Sequence, residues 1–240
     1  PKTPWKDWAE FLADAKKRPG QISVGATLSS TSHIFPATVE QTSRDWYGHG
    51  SHVAGIVAAD DDGDGVTGMA PDAQILPIDL EPRRSPVRTD AQFFSMVSAG
   101  IDFAVAEGAD VVNMSIGGVS SGIAPSKHTQ RYLDALDAVC ASVDSAVAEG
   151  TVVVASAGNS GDWGNPEAKP AACPGAVTVA ALGPSLDRTF WSSFDAAVDL
   201  SAPGEDILSV DSTVAQMSPT PHTLASGTSM AAPVVTGVAA

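Results

Sequence analysis

Basic residues and cysteine are scarce in this chain, and each scarcity closes off a class of function. Only 13 Lys plus Arg stand against 28 Asp plus Glu in 240 residues, a formal net charge of −15. A surface of that sign repels phosphate backbones and anionic headgroups, so neither nucleic acid nor membrane is an expected partner. No apolar run approaches the roughly 20 residues that span a bilayer, and no basic-then-apolar leader opens the sequence. The expected molecule is soluble and monomeric, with an acidity that suits a secreted or salt-adapted protein. Cys140 and Cys173 are the only cysteines. They leave open one disulfide or two buried thiols, and are too few to fix a redox compartment.

What is plentiful is apolar sequence, 43% of the residues, enough for one sizeable core or at most two small domains. From residue 70 onward short apolar runs alternate with amphipathic stretches, the pattern of parallel βαβ units. "AQILPIDL" (73–80) reads as a strand. In the next stretch, 90–108, Phe93, Phe94, Val97, Ile101, Ala104 and Val105 share one helical face, and Gly108 suits a C-terminal cap. "ADVVNMS" (109–115) reads as a buried strand. A second cycle follows, with a helix over about 130–149 and the strand "TVVVAS" (151–156). Glycine-bearing loops, "SIGG" (115–118) and "SAGN" (156–159), come after the two strands. Ligands of open α/β sheets bind at that end, although ordinary tight turns also explain such glycines.

Three readings stay open for His49 and His52 in "RDWYGHGSHVAGI" (44–56). They are core histidines bonded to backbone, a zinc site, or a general base for a nucleophile elsewhere. The zinc reading is weak, because the glutamate of an H-E-x-x-H helix is missing. The base reading needs a serine in a special setting. "SGTSMAAPVVTGVAA" (226–240) offers one: Ser229 opens a small-residue helix in which Pro233 falls within the first turns. Exposed N–H groups at such a helix start can stabilise an oxyanion. A serine there also serves as an ordinary cap.

Taken together, "GHGSHVAGIVAA", "MSIGG", "VVVASAGNSG" and "SGTSMAAP", in that order, resemble the subtilisin-like serine proteases (the subtilase family) from about Asp45 to the end. The resemblance implies an α/β fold of three layers, a mostly parallel twisted sheet with helices on both faces, incomplete here at both ends. It implies a secreted serine endopeptidase that cleaves polypeptides through an acyl-enzyme and needs no cofactor for the chemistry. His49 would be the general base, and His52 would support the turn. Ser229 would be the nucleophile, with Asn159 and the Ser229 N–H holding the oxyanion. Ser115, Ile116 and Gly117 would form the edge that pairs with substrate backbone. Ala157 and Gly158 would form part of the pocket wall for the residue before the scissile bond.

The family's third triad member, an aspartate in a D-[ST]-G turn, is missing from residues 1–48. In "ISVGATLSSTSH" (22–33), Ala26 stands at its position if Val24, Thr27 and His33 follow the family pattern. Asp45 is not a ready substitute, since an aspartate just ahead of G-H-G-[ST]-H is a separate family feature. The expectation is therefore an impaired enzyme. The first 45 residues resemble instead a fragment of a tripartite tricarboxylate transporter solute-binding protein, with a helix over 5–17, a Pro19-Gly20 stop and a strand over 21–24. That suggests a foreign segment at 1–45 and a catalytic domain at 46–240. The rivals are a catalytically silent peptide-binding fragment and a solute-binding module carried by residues 1–45.

The acidic loop "AADDDGDGVTGMAP" (58–71) resembles the start of an EF-hand, but Pro71 stands where a bidentate glutamate belongs. A solvated turn accounts for it. Calcium-binding subtilases use a loop here, which implies ligands from Asp62 and from oxygens at Asp60, Asp64 and Val66. Such a structural calcium site would be incomplete and weak, because the relatives draw other ligands from N-terminal segments.

Overall fold

The computed structural model describes residues 23–28, 48–63, 65–80, 89–119, 129–195, 197–211 and 221–240. In chain order the elements are β1 (Ser23–Leu28), α1 (His49–Ala58), β2 (Gln74–Asp79), α2 (Asp90–Ala106), β3 (Val111–Met114) and β4 (Gly118–Val119). They continue with α3 (Gln130–Glu149), β5 (Val152–Ser156), β6 (Ala168–Lys169), β7 (Ala176–Leu182), β8 (Leu200–Pro203), β9 (Ile207–Val210), β10 (His222–Ala225) and α4 (Thr228–Ala239).

The short valine and alanine runs become central strands because both faces of the sheet are covered. Successive strand residues point to opposite sides, so Val112 of β3 and Val153 and Ala155 of β5 enter the core beneath α2 and α3. Val111 and Val154 enter the core beneath α1 and α4. A strand buried on both faces reads as a continuous apolar run, and this explains "VVVAS". The six strands lie in the order β2-β1-β3-β5-β7-β8, all pairs parallel. Two short antiparallel ladders stand apart, β9 with β10 and β4 with β6.

The helices start and stop where their caps lie. Thr89 accepts the Gln92 N–H and Gln92 answers with its side chain, a complete capping box on α2. On α3, Thr129 accepts the Tyr132 N–H, and Gly150 closes the C-terminus at φ 101°, a left-handed conformation that glycine adopts without penalty. On the predicted face of α2, Phe94, Val97, Ile101 and Ala104 are buried, while Phe93 and Val105 pack at its margin.

The sheet corrects the reading of the N-terminal segment. Its strand continues past the expected end at residue 24 to Leu28, described from Ser23, and it inserts between β2 and β3, with Ala26 opposite Pro77 on one side and Asn113 on the other. Residues 23–28 thus belong to the same sheet as the rest of the chain. The helix expected over 5–17 lies outside the described residues.

Candidate active site

Order reverses at β1, whose neighbours β2 and β3 run to opposite sides of it, and crevices of open parallel sheets form at such switch points. Ser115 follows β3, Asn159 follows β5 and Ser229 opens α4. Their loops converge through hydrogen bonds.

Ser229 is the second residue of α4 and is half-buried. Its Oγ lies 3.3 Å from the carbonyl of Ser115. First-turn N–H groups of a helix have no intrahelical acceptor. Here the Thr228 N–H goes to Asn159 Oδ1 at 2.9 Å and the Met230 N–H to the Gly227 carbonyl at 3.0 Å. The Ser229 N–H between them has no acceptor among the described residues.

Asn159 is oriented by its neighbour on α4. The Thr228 hydroxyl accepts the Gly158 N–H at 3.0 Å and donates to Asn159 Oδ1 at 3.0 Å. A backbone N–H can only donate, so the amide atom facing Thr228 is the oxygen. Asn159 Nδ2 is left without a partner among the described residues, and a Cβ on Gly227 would lie 3.4 Å from it and 3.6 Å from the Ser229 nitrogen, so both donors border the same point. Gly158 holds φ 103°, and a Cβ there would come within 3.1 Å of Ser193 Oγ, so the loop that presents Asn159 requires glycine.

His49 begins α1 behind Gly48, whose φ is 73°. α1 packs against the start of α4: Val53 and Ile56 form a buried cluster with Met230. Further along, the Val57 carbonyl faces Gly237. His49 is half-buried at the start of α1. His52, one turn on, is turned inward and only 2% exposed. Its Nε2 donates between the carbonyls of Ile207 (3.0 Å) and Thr223 (3.1 Å), bridging β9 and β10. Its Nδ1 is buried with no hydrogen-bond partner among the described residues, so the ring is neutral with its proton on Nε2. Burial pushes its pKa below 6.5, against weaker opposing contributions from the two carbonyls and Asp211.

The Ser115–Gly117 segment offers backbone rather than side chains. Ser115 and Ile116 are buried and only Gly117 is exposed. Ala157 is buried, with its N–H on the Val179 carbonyl at 2.9 Å. Three partners of the site went unnoticed in the sequence: Thr228, Asn113 and Thr236, each fully buried. Asn113 Nδ2 donates to Ser115 Oγ at 3.0 Å, and Thr236 Oγ1 donates to Asn113 Oδ1 at 2.9 Å. A lone amide inside the apolar run "VVNMS" was the available signal, because a buried polar group needs partners.

Hydrogen bonds thus join the Ser115, Asn159 and Ser229 segments, and the helix that His49 opens packs against α4. The Subtilase family profile matches residues 26–240. The chain belongs to the subtilase family. It is 37% identical over 203 residues to Subtilisin DY of Bacillus licheniformis, covering 84% of this chain and 65% of that protein. It is 31% identical to the Major intracellular serine protease of Bacillus subtilis (strain 168), covering 84% and 56% respectively. This subtilase chain therefore spans less than two thirds of the length of these relatives. Among solved structures, a cold adapted subtilisin-like serine proteinase superposes with a TM-score of 0.64 at 26% identity, covering 91% of this chain and 74% of that one. The family match starts at Ala26, inside the segment that resembles a solute-binding protein, and the comparisons give that resemblance no support.

The acidic loop of this subtilase shows no calcium site among the described residues. Among the described residues no three of His, Cys, Asp or Glu are placed to hold a metal ion. Asp60 and Asp62 are exposed, Val66 is half-buried and Asp64 lies outside the described residues. Among the described residues no helix is long and apolar enough to cross a membrane.

Proposed function

We propose that this chain is a serine endopeptidase with Ser229 as nucleophile, His49 as general base, and Asn159 Nδ2 with the Ser229 N–H as oxyanion donors. The observation that carries the reading is the pair of unpartnered donors set by the Thr228–Asn159 clamp beside the Ser229 hydroxyl. Ser229 Oγ attacks a peptide carbonyl while His49 accepts its proton. The negative oxygen of the tetrahedral intermediate lies between the two fixed donors, which need no reorganisation as charge develops. Collapse expels the amine, which takes the proton from His49. Water then repeats the sequence on the acyl-enzyme. The backbone of Ser115, Ile116 and Gly117 pairs with the substrate, and Ala157 and Gly158 flank the side chain before the scissile bond.

No step is routed through a metal; a calcium ion at Asp60, Asp62, Asp64 and Val66 would be structural only. The polypeptide is the partner, and the net charge of −15 argues against nucleic acid. We read the protein as a monomer. Extracellular location is supported by the disulfide between Cys140 and Cys173, a bond that persists in oxidising compartments.

Turnover is impaired, because β1 carries Ala26 where the resemblance places the aspartate that orients His49. A peptidyl chloromethyl ketone tests the pairing of the two residues. It should leave a covalent adduct on His49 that is lost in Ser229→Ala, since alkylation follows addition of the serine to the ketone. An adduct on His52, or one that persists in Ser229→Ala, would remove this reading.

A further inference from the structure

Residues 168–175 carry β6 and the turn after it, and α3 grips them at three successive points. Lys169 Nζ pairs with Asp137 Oδ1 at 2.6 Å. Cys173 is bonded to Cys140. Gly175 lies so close to the helix that a Cβ there would come within 3.2 Å of Val147 and 3.3 Å of Val143. Asp137, Cys140, Val143 and Val147 follow one another at the spacing of a single helical face.

β6 in turn pairs with β4, Gly118 opposite Lys169 and Val119 opposite Ala168. β4 continues directly from Ser115–Gly117. On the other side, a Cβ on Gly158 would touch the Cβ of Ala168 at 4.0 Å. β6 therefore spans the gap between the two loops that the proposed function uses to bind peptide. A ladder of two residue pairs cannot hold itself in water, so its restraint comes from outside. The ion pair is a weak restraint, because the Asp137 side chain is 71% exposed and solvent screens it. The Tyr132 hydroxyl holds the Val119 carbonyl of β4 at 2.9 Å and the Thr178 hydroxyl the Ala171 carbonyl at 2.6 Å, but the covalent link is what fastens β6 and its turn to α3.

We propose that the Cys140–Cys173 disulfide is a positioning element for peptide recognition: by pinning β6 to α3 it holds the far wall of the substrate groove in register with Ser115–Gly118. The proposal rests on the peptide-binding reading of that edge. It predicts a split between recognition and reactivity, because α3 contributes nothing to the bonds that set Ser229 and Asn159.

The test compares two serine-directed reagents on the intact chain and on Cys140→Ala/Cys173→Ala. One is a small non-peptidic fluorophosphonate, the other a tetrapeptidyl diphenyl phosphonate. Loss of the disulfide should slow the peptidyl reagent about 10- to 100-fold, the order expected for a misplaced binding wall, and leave the small reagent unchanged. Equal slowing of both makes the disulfide merely structural and overturns the proposal, as does no slowing of either. Should the double variant fail to fold, the same two rates are taken on the native chain after phosphine reduction, under conditions that leave its circular dichroism intact. If neither reagent labels Ser229 in the intact chain, the nucleophile reading fails on its own. Binding of a fluorescent tetrapeptide to oxidised and reduced chain then decides: weaker binding on reduction supports the proposal, and equal affinity overturns it.

Discussion

Ser115 donates its hydroxyl to the carbonyl of Ser229 at 2.8 Å, and the reason lies one turn further along α4. A helical carbonyl is normally met by the N–H four residues on. Four residues beyond Ser229 is Pro233, which has no N–H. The strand loop therefore supplies the donor that the helix lacks, with Asn113 fixing the hydroxyl. Ser229 is tied to the end of β3 by the same bond.

This relationship predicts a rescue. Ser115→Ala leaves the Ser229 carbonyl without its donor and should cost about 1–3 kcal/mol in urea unfolding. Adding Pro233→Ala restores an N–H in the helix and should recover most of that loss. If the double variant is no more stable than Ser115→Ala alone, the helix-completing role of Ser115 is wrong.

A second prediction concerns Ala26, placed by register beside Asn113, two residues before Ser115. Ala26→Asp should raise kcat/KM on a peptide substrate by up to about 10⁴-fold, the loss seen when such an orienting carboxylate is neutralised in a related triad. KM should move little. A folded Ala26→Asp variant with unchanged activity would show that another acid orients His49.

The third uses that activated background. Asn159→Leu keeps the side chain's size but removes the amide that Thr228 aims. It should lower kcat by about 10²- to 10³-fold with KM little changed. A rise in KM alone would instead make Asn159 a substrate-binding residue.

Much of this site was legible because its signals are local. The helix read over about 130–149 is α3 at Gln130–Glu149, and Ser229 announced itself by the proline-tolerant, small-residue helix that follows. Partners far away in sequence left little trace. His52 meets carbonyls 155 and 171 residues on, and Thr228 meets Asn159 across 69 residues. Neither meeting has a local pattern. β1 was misjudged because "SVGATL" is an ordinary strand sequence. Only its pairing reveals that Ala26 lies next to the strand that ends at the site. The pairing of Cys140 with Cys173 needed the approach of α3 to the turn after β6, which spacing alone does not give.

A fourth prediction follows from the buried His52. Its pKa is pushed below 6.5 mainly by burial. Above that pH the ring is neutral both folded and unfolded, so it adds no pH dependence. As pH falls below 6.5 the unfolded chain binds a proton that the folded chain refuses, and stability declines until the folded pKa is reached. The decline is limited to about 1.4 kcal/mol per pH unit for one proton. Urea midpoints between pH 7 and about pH 5 should fall less steeply in His52→Gln than in the parent. Parallel curves would mean that His52 is not the group responsible.

The nucleophile assignment is the claim on which the others depend, and a fluorophosphonate tests it without requiring full turnover. Peptide mapping by mass spectrometry after treatment of the intact chain should find the phosphonyl group on Ser229 alone, and Ser229→Ala should take up none. Labelling that persists in Ser229→Ala, or a folded parent that resists the reagent altogether, would contradict the account.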